Sequence, residues 1–333
     1  MTLLPTVLML LACAAVIYLA CEYFVNGIEW VGLRLGVSES AVGTVLAAFG
    51  TALPESVVTF VAVASGGSAA QKQIGVGAAI GGPLVLGTIA YAVVGLSFLA
   101  FRGKRRMPML ELVEQRRLAH DQAWFLLIFA AKVALGFVVF RYKSWLGCAF
   151  LLAYAAYTWR EITGGDEVGR SEVQLEPLKF RPTDADPPTH WALLQTLLAL
   201  SVIFLSSQLF VRQLAALSPE LGLSTQLTAL LLSPIATELP EMLNAIIWLR
   251  QGKTTLALGN ISGAMLIQAT IPGALGIFFT PWLFDRPLAI ASAVTIASIA
   301  LMWILLRRGK LSARKLALFG ILYFVFAAAV ALF

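Results

Sequence analysis

Ten apolar runs follow one another through the chain, at about 3–25, 38–65, 74–100, 123–140, 144–159, 191–215, 224–249, 254–280, 287–306 and 315–333, with short polar turns between most of them. A helix crosses the hydrocarbon core with roughly 20 apolar residues. Lipid offers no hydrogen bonds to a backbone, so such runs must close their amides internally, as helices. The fold class expected is an all-α membrane protein of about ten transmembrane helices. With 59% hydrophobic residues and a mean hydropathy of +0.85, little chain is left for a soluble domain. The formal charge of +6 could suggest nucleic acid, but the basic residues sit in the turns. Of the 24 Lys and Arg, eighteen fall in one set of alternate turns and five in the other, the remaining one being Lys132. That asymmetry predicts a plasma (inner) membrane protein with both termini outside. Cys13, Cys21 and Cys148 have no disulfide or metal spacing, and His120 and His190 lie in cytoplasmic turns. The first apolar run has no Lys or Arg before it and no clear cleavage site, so it is expected to be retained as the first helix.

The longest polar stretch, residues 160–190, is rich in Gly, Pro and acids and reads as a solvated cytoplasmic linker. It divides the chain into 1–159 and 191–333. Placing Glu22 opposite Gln208 aligns the halves without a gap: "EYFV" faces "QLFV", "LGVS" faces "LGLS", and "TALPE" at 51–55 faces "TELPE" at 237–241. Further on, "GAAIGG" at 77–82 faces "GNISGA" at 259–264. Five helices are an odd number, so the second repeat must return inverted. Inverted repeats are a signature of secondary transporters, with the substrate site where the halves meet.

Only four acidic residues lie deep inside apolar runs: Glu22, Glu55, Glu238 and Glu241. Each costs roughly 2.5–3.5 kcal/mol at the bilayer centre unless it faces protein, water or a cation, or carries a proton. The bland alternative is a neutral acid bonded to a neighbouring helix. Pro54 and Pro240 each remove an amide donor, which predicts interrupted helices near Phe49 to Thr51 and near Ile235 to Thr237, with freed carbonyls beside Glu55 and Glu241. Carboxylate plus carbonyl oxygen suits hard cations such as Ca²⁺ and Na⁺.

These motifs resemble those of the calcium/cation antiporter superfamily, which includes sodium/calcium and proton/calcium exchangers. The likeness covers nearly the whole chain and is most specific at "LGVSESAVGTVLAAFGTALPES" and "SPIATELPEML". It implies that Glu55 and Glu241 are the two central calcium-binding glutamates. It also implies that Thr51 and Thr237 offer backbone carbonyls, and that Glu22 supports the bundle or an access path. Asn260 matches a family position, whereas Ala78 breaks the pattern in the other copy. Departures from the family are equally informative. Ala52 and Glu238 stand where the family usually has Ser, and Gly82, Leu86, Ala264 and Gln268 replace the hydroxyl and amide side chains that help form its sodium sites. The resulting candidate cation ligands are Glu55, Glu241, Glu238, Thr51, Thr237 and Gln268.

Three neighbouring carboxylates cannot all stay ionised without a cation, so protons should replace the departing metal. This favours Ca²⁺/H⁺ exchange, with Na⁺/Ca²⁺ exchange the closest alternative and Na⁺/H⁺ or another divalent cation also open. A cation channel, a relative that has lost transport, and an intramembrane acid/base hydrolase are the other classes. No nucleophile–histidine pair or zinc spacing supports the hydrolase. No cofactor is expected beyond the transported ions, and no partner beyond cations and lipid: no nucleic acid and no obligatory protein. Lys132, midway along its run, admits two readings: a side chain bent toward the interface, or an ammonium paired with Glu22 or Glu238 in place of a coupling ion.

Overall fold

The computed structural model describes residues 3–34, 47–101, 112–163, 176–250 and 254–332. Every regular element among them is helical: α1 (Leu3–Arg34), α2 (Ala47–Ala64), α3 (Ala69–Phe101), α4 (Leu112–Leu135), α5 (Leu146–Thr163), α6 (Thr189–Glu220), α7 (Thr225–Thr237), α8 (Leu239–Arg250), α9 (Thr254–Phe279), α10 (Arg286–Arg307) and α11 (Ala313–Ala331). Seven of these, α1, α3, α4, α6, α9, α10 and α11, are long and apolar enough to cross a membrane.

The long helices α1 and α6 pack along each other. At 32 residues each they run about 48 Å, longer than a bilayer core, so their ends reach into the polar layers or the helices tilt. The N-terminal part of α3 packs on α7 and α9 packs on α2; α4 packs on α10; α9 packs on α5, and the C-terminal part of α3 on α11. One apolar core gathers α3, α4, α9, α10 and α11 around Phe129, Met265 and Phe319. A second joins α1, α2 and α6 around Phe24, Val58 and Phe210. Small residues permit the closest approaches. A Cβ at Gly77 would lie 2.3 Å from the Gln226 carbonyl oxygen, and one at Gly81 would lie 2.5 Å from that of Leu230.

The two proline motifs behave differently. Helix α2 runs through Pro54 without ending, so the interruption expected near Phe49 to Thr51 is absent from the described part of that helix. A lost amide donor need not end a helix packed on both sides, and α2 is held by α3 and α9. In the second copy the chain does leave the helix, at Glu238 (φ −96°, ψ −3°), between α7 and α8. Pro240 is then the second residue of α8, where no amide donor is needed. Helix α3 also carries a feature without a sequence signal: a π-turn at Leu86–Ala90, just after Pro83. The Ser298 hydroxyl of α10 donates to the Gly87 carbonyl there.

The described end of the linker, 176–190, is mostly exposed, as its composition suggests, but it is anchored to the bundle. Leu178 is buried, and the segment docks as a strap on α1 and α6. Asn26 Nδ2 donates to the Glu176 and Pro177 carbonyls and Asn26 Oδ1 accepts from the Lys179 amide at 2.9 Å. Gln195 Oε1 accepts from the Phe180 amide at 2.8 Å. Composition does not show the anchoring, because the two amide side chains that take up the strap's backbone groups lie on neighbouring helices.

Candidate cation site

Glu55 projects from α2, Thr237 ends α7, and Glu238 sits in the gap before α8. All three are buried, as are Glu241 on the first turn of α8 and Gln268 on α9. The Thr237 hydroxyl links two of the acids. Its Oγ1 lies 2.8 Å from Glu55 Oε2 and 3.2 Å from Glu238 Oε1, with the Ser233 carbonyl oxygen also at 3.2 Å. Gln268 Nε2 donates to the other oxygen of Glu238 at 2.7 Å. A chain of polar contacts therefore runs from Glu55 through Thr237 and Glu238 to Gln268, crossing from α2 to α9. The side-chain oxygens of Ser233 and Gln268 have no hydrogen-bond donor among the described residues. Oxygen acceptors outnumber donors here, an arrangement that a cation or added protons would balance.

Of the six ligands expected from sequence, four are joined in this chain: Glu55, Thr237, Glu238 and Gln268. Glu241 is fully buried, but it does not form a metal-holding group of three acidic, His or Cys side chains with the others among the described residues. Thr51 lies in the helical part of α2, and its side chain is outside the described residues.

Glu22 stands apart from this chain of contacts. Its side chain is 41% exposed and accepts from Lys179 Nζ of the strap at 3.0 Å. Its basic partner comes from the strap, which position along an apolar run does not show. Lys132 follows neither expectation. It is fully buried on α4, and its ammonium donates to the carbonyls of Ala79 and Gln268, each at 3.2 Å, with the Phe129 ring centroid at 4.8 Å. The same helix also carries a neutral cluster without a signal in the pattern of charges. Gln122 Nε2 donates to the Tyr91 hydroxyl at 3.0 Å and to Ser262 Oγ at 2.8 Å. Gln195 lies inside the apolar run at 191–215 and is visible as a polar residue there, whereas Gln122 lies one residue before the run at 123–140 and carries no such signal.

The family described as sodium/calcium exchanger protein matches residues 5–163 and 191–332, leaving out only the terminal residues and the region of the linker. The chain belongs to this family. It is therefore a multi-pass membrane transporter of the cation-exchanger type and not an enzyme. Among curated proteins it is 27% identical to the putative antiporter CaxA of Alkalimonas amylolytica, across 93% of this chain and 92% of that one. It is 25% identical to the inner membrane protein YrbG of Escherichia coli (strain K12), across 86% and 83%. Its fold is that of the H⁺/Ca²⁺ exchanger CAX (TM-score 0.67, 15% identity, 97% of this chain and 88% of that one). It is also that of the sodium-calcium exchanger NCX_Mj soaked with 10 mM Na⁺ and zero Ca²⁺ (TM-score 0.60, 19% identity, 98% and 99%).

Proposed function

We propose that this family member is a secondary antiporter exchanging Ca²⁺ for H⁺ by alternating access, with Glu55, Glu238 and Glu241 as the carboxylate ligands. Gln268 and the backbone at Thr51 and Thr237 complete the ligand set. The observation that carries the reading is the Thr237 hydroxyl. It has one hydrogen, yet two carboxylates stand within hydrogen-bond distance of its oxygen. A proton on one of those carboxyls lets that acid donate to Thr237 while Thr237 donates to the other. Calcium entering the group would displace such a proton, which is the coupling an exchanger needs.

The helix pairings support two inverted five-helix repeats, with α7 and α8 together forming the seventh span. Exchanging α1 for α6, α2 for α7–α8, α3 for α9, α4 for α10 and α5 for α11 leaves the pairings unchanged: α1 with α6, α4 with α10, α3 with α7 and α9 with α2, α9 with α5 and α3 with α11. Such pseudo-symmetry gives two related packings for outward and inward access. The basic turns favour both termini outside in the inner membrane. Sodium in place of H⁺ is the second reading, favoured by the family match itself.

Calcium uptake into proteoliposomes, driven separately by a pH gradient and by a Na⁺ gradient, tests this reading with Glu55→Gln and Glu241→Gln as blanks. Uptake under the pH gradient alone, lost in both variants, is the expected result. Uptake under Na⁺ alone would select the second reading, and uptake under neither would overturn both.

A further inference from the structure

Lys132 is housed with care. A Cβ at Gly273 of α9 would lie 2.5 Å from its Cδ, so that glycine leaves the channel its stem occupies. Near the C-terminal end of α4, where carbonyls run short of amide partners, Trp282 Nε1 donates to the Lys132 carbonyl at 3.0 Å. The ammonium itself meets two carbonyls and an aromatic face, the surroundings a bound monovalent cation would have. One of those carbonyls belongs to Gln268, whose side chain donates to Glu238. The other belongs to Ala79, one turn before Gly82, and a Cβ at Gly82 would lie 2.7 Å from Gln268 Oε1. Among the described residues no salt bridge neutralises this ammonium.

We propose that Lys132 is a tethered monovalent cation: it occupies permanently a place that a coupling ion would otherwise fill, and so sets how many such ions accompany each Ca²⁺. The inference rests on the carboxylate site proposed above. Three carboxylates carry three negative charges; one fixed ammonium leaves two, the charge that one divalent cation cancels. Burying an uncompensated charge is costly, so removing the ammonium should draw one further monovalent cation into the site. That ion would be bound and released in each cycle, whereas Lys132 cannot leave.

The test is the coupling ratio, read with membrane voltage clamped at zero by K⁺ and valinomycin. Under a tenfold imposed gradient of the coupling ion, each further ion exchanged per Ca²⁺ multiplies the equilibrium Ca²⁺ ratio by about tenfold. Lys132→Gln is expected to reverse its net flux at a Ca²⁺ ratio about tenfold beyond that of the wild type, and Lys132→Arg to reverse where the wild type does. An unchanged reversal ratio in Lys132→Gln, with wild-type uptake intact, overturns this inference alone. Absence of wild-type uptake under either gradient overturns the site reading beneath it. Should Lys132→Gln fail to fold, the double variant Lys132→Gln/Glu238→Gln removes one charge of each sign. The inference requires that it keep the wild-type count of coupling ions released per Ca²⁺ bound in detergent; a changed count, or failure of this charge-matched variant to bind Ca²⁺, overturns it.

Discussion

Helix α2 carries one buried carboxylate, whereas the α7–α8 junction carries two, of which Glu238 joins the polar chain to Glu55. The motifs are nearly the same, "TALPE" and "TELPE", and proline holds the same place in each. Proline alone therefore does not decide where the chain leaves the helix. At Ala52 the helix continues, as the strongest helix former allows. At Glu238 it stops, and the carboxylate freed by the turn is held by Thr237 and Gln268. One half thus supplies a single acid on a continuous helix, and the other an acid at a helix end with its own polar partners. The same imbalance continues one helix on, where Leu86 of α3 is the counterpart of Gln268 of α9.

The largest effect should separate these acids. Glu55→Gln and Glu241→Gln are expected to reduce proteoliposome Ca²⁺ uptake to that of empty vesicles, since each motif has only one acid after its proline. Glu238→Ala makes the second motif like the first. It should retain uptake, with Ca²⁺ affinity lower by roughly 10–100-fold, as for loss of one charge-assisted contact of about 1.5–3 kcal/mol. Equal loss in all three would mean that the halves are functionally alike despite their geometry.

Packing offers the next contrast. Gly77 of α3 and Gly259 of α9 are counterparts in the alignment. A Cβ at Gly77 would strike the backbone of α7, while among the described residues nothing lies within 4 Å of a Cβ at Gly259. Gly77→Ala should therefore lower the unfolding free energy in detergent by about 1–3 kcal/mol, the range for overpacking. Gly259→Ala should leave it unchanged or raise it by up to about 1 kcal/mol through helix propensity. Similar thermal shifts for the two would remove the distinction between these interfaces.

These contrasts also mark what the sequence could and could not reveal. The apolar runs located the helices but not their ends, because about 20 apolar residues admit little but a helix in lipid, while α1 runs nine residues past its run and α4 starts eleven before its own. The repeated motif picked out Glu55, Thr237 and Glu238, because intramembrane charge beside proline is costly and rare. Surroundings supplied by distant segments were not legible. Glu22 is met by Lys179, 157 positions away, and Lys132 by carbonyls 53 and 136 positions away. Apart from Ala52 standing where the second copy has Glu238, the two motifs read alike, so Pro54, which the helix passes through, looks the same in sequence as Pro240, which begins one.

A finer contrast concerns Gly82 and its counterpart Ala264. Gly82 gives Gln268 its room, since a Cβ there would lie 2.7 Å from Oε1 and 3.0 Å from Cδ of that side chain. Gly82→Ala makes the two positions alike. The obstructed group is the end of a flexible side chain, so the fold should tolerate the change. Gln268 should shift from Glu238, and Ca²⁺ affinity should fall by about threefold to tenfold, the loss of one hydrogen bond of roughly 1 kcal/mol. Isothermal titration of the two proteins would measure it. An unchanged affinity would mean that the Gln268–Glu238 contact does not contribute to the bound state.

The smallest effect is expected where α1 and α6 differ at Glu22 and its counterpart Gln208. Glu22 has acquired a partner in the strap, but the pair is partly solvated, with Lys179 28% and Glu22 41% exposed. Exposed ion pairs contribute about 0–1 kcal/mol, because water screens the attraction and two long side chains lose freedom. The strap is held chiefly by the buried amides of Asn26 and Gln195, which satisfy backbone groups that water cannot reach as readily. Lys179→Met should accordingly change thermal stability by less than about 1 kcal/mol and leave the Ca²⁺ coupling ratio as it was. Protease protection of the strap should persist as well. A variant that lost protection or altered the coupling ratio would show that the ion pair, and not the amides, fastens the strap and links it to the transport cycle.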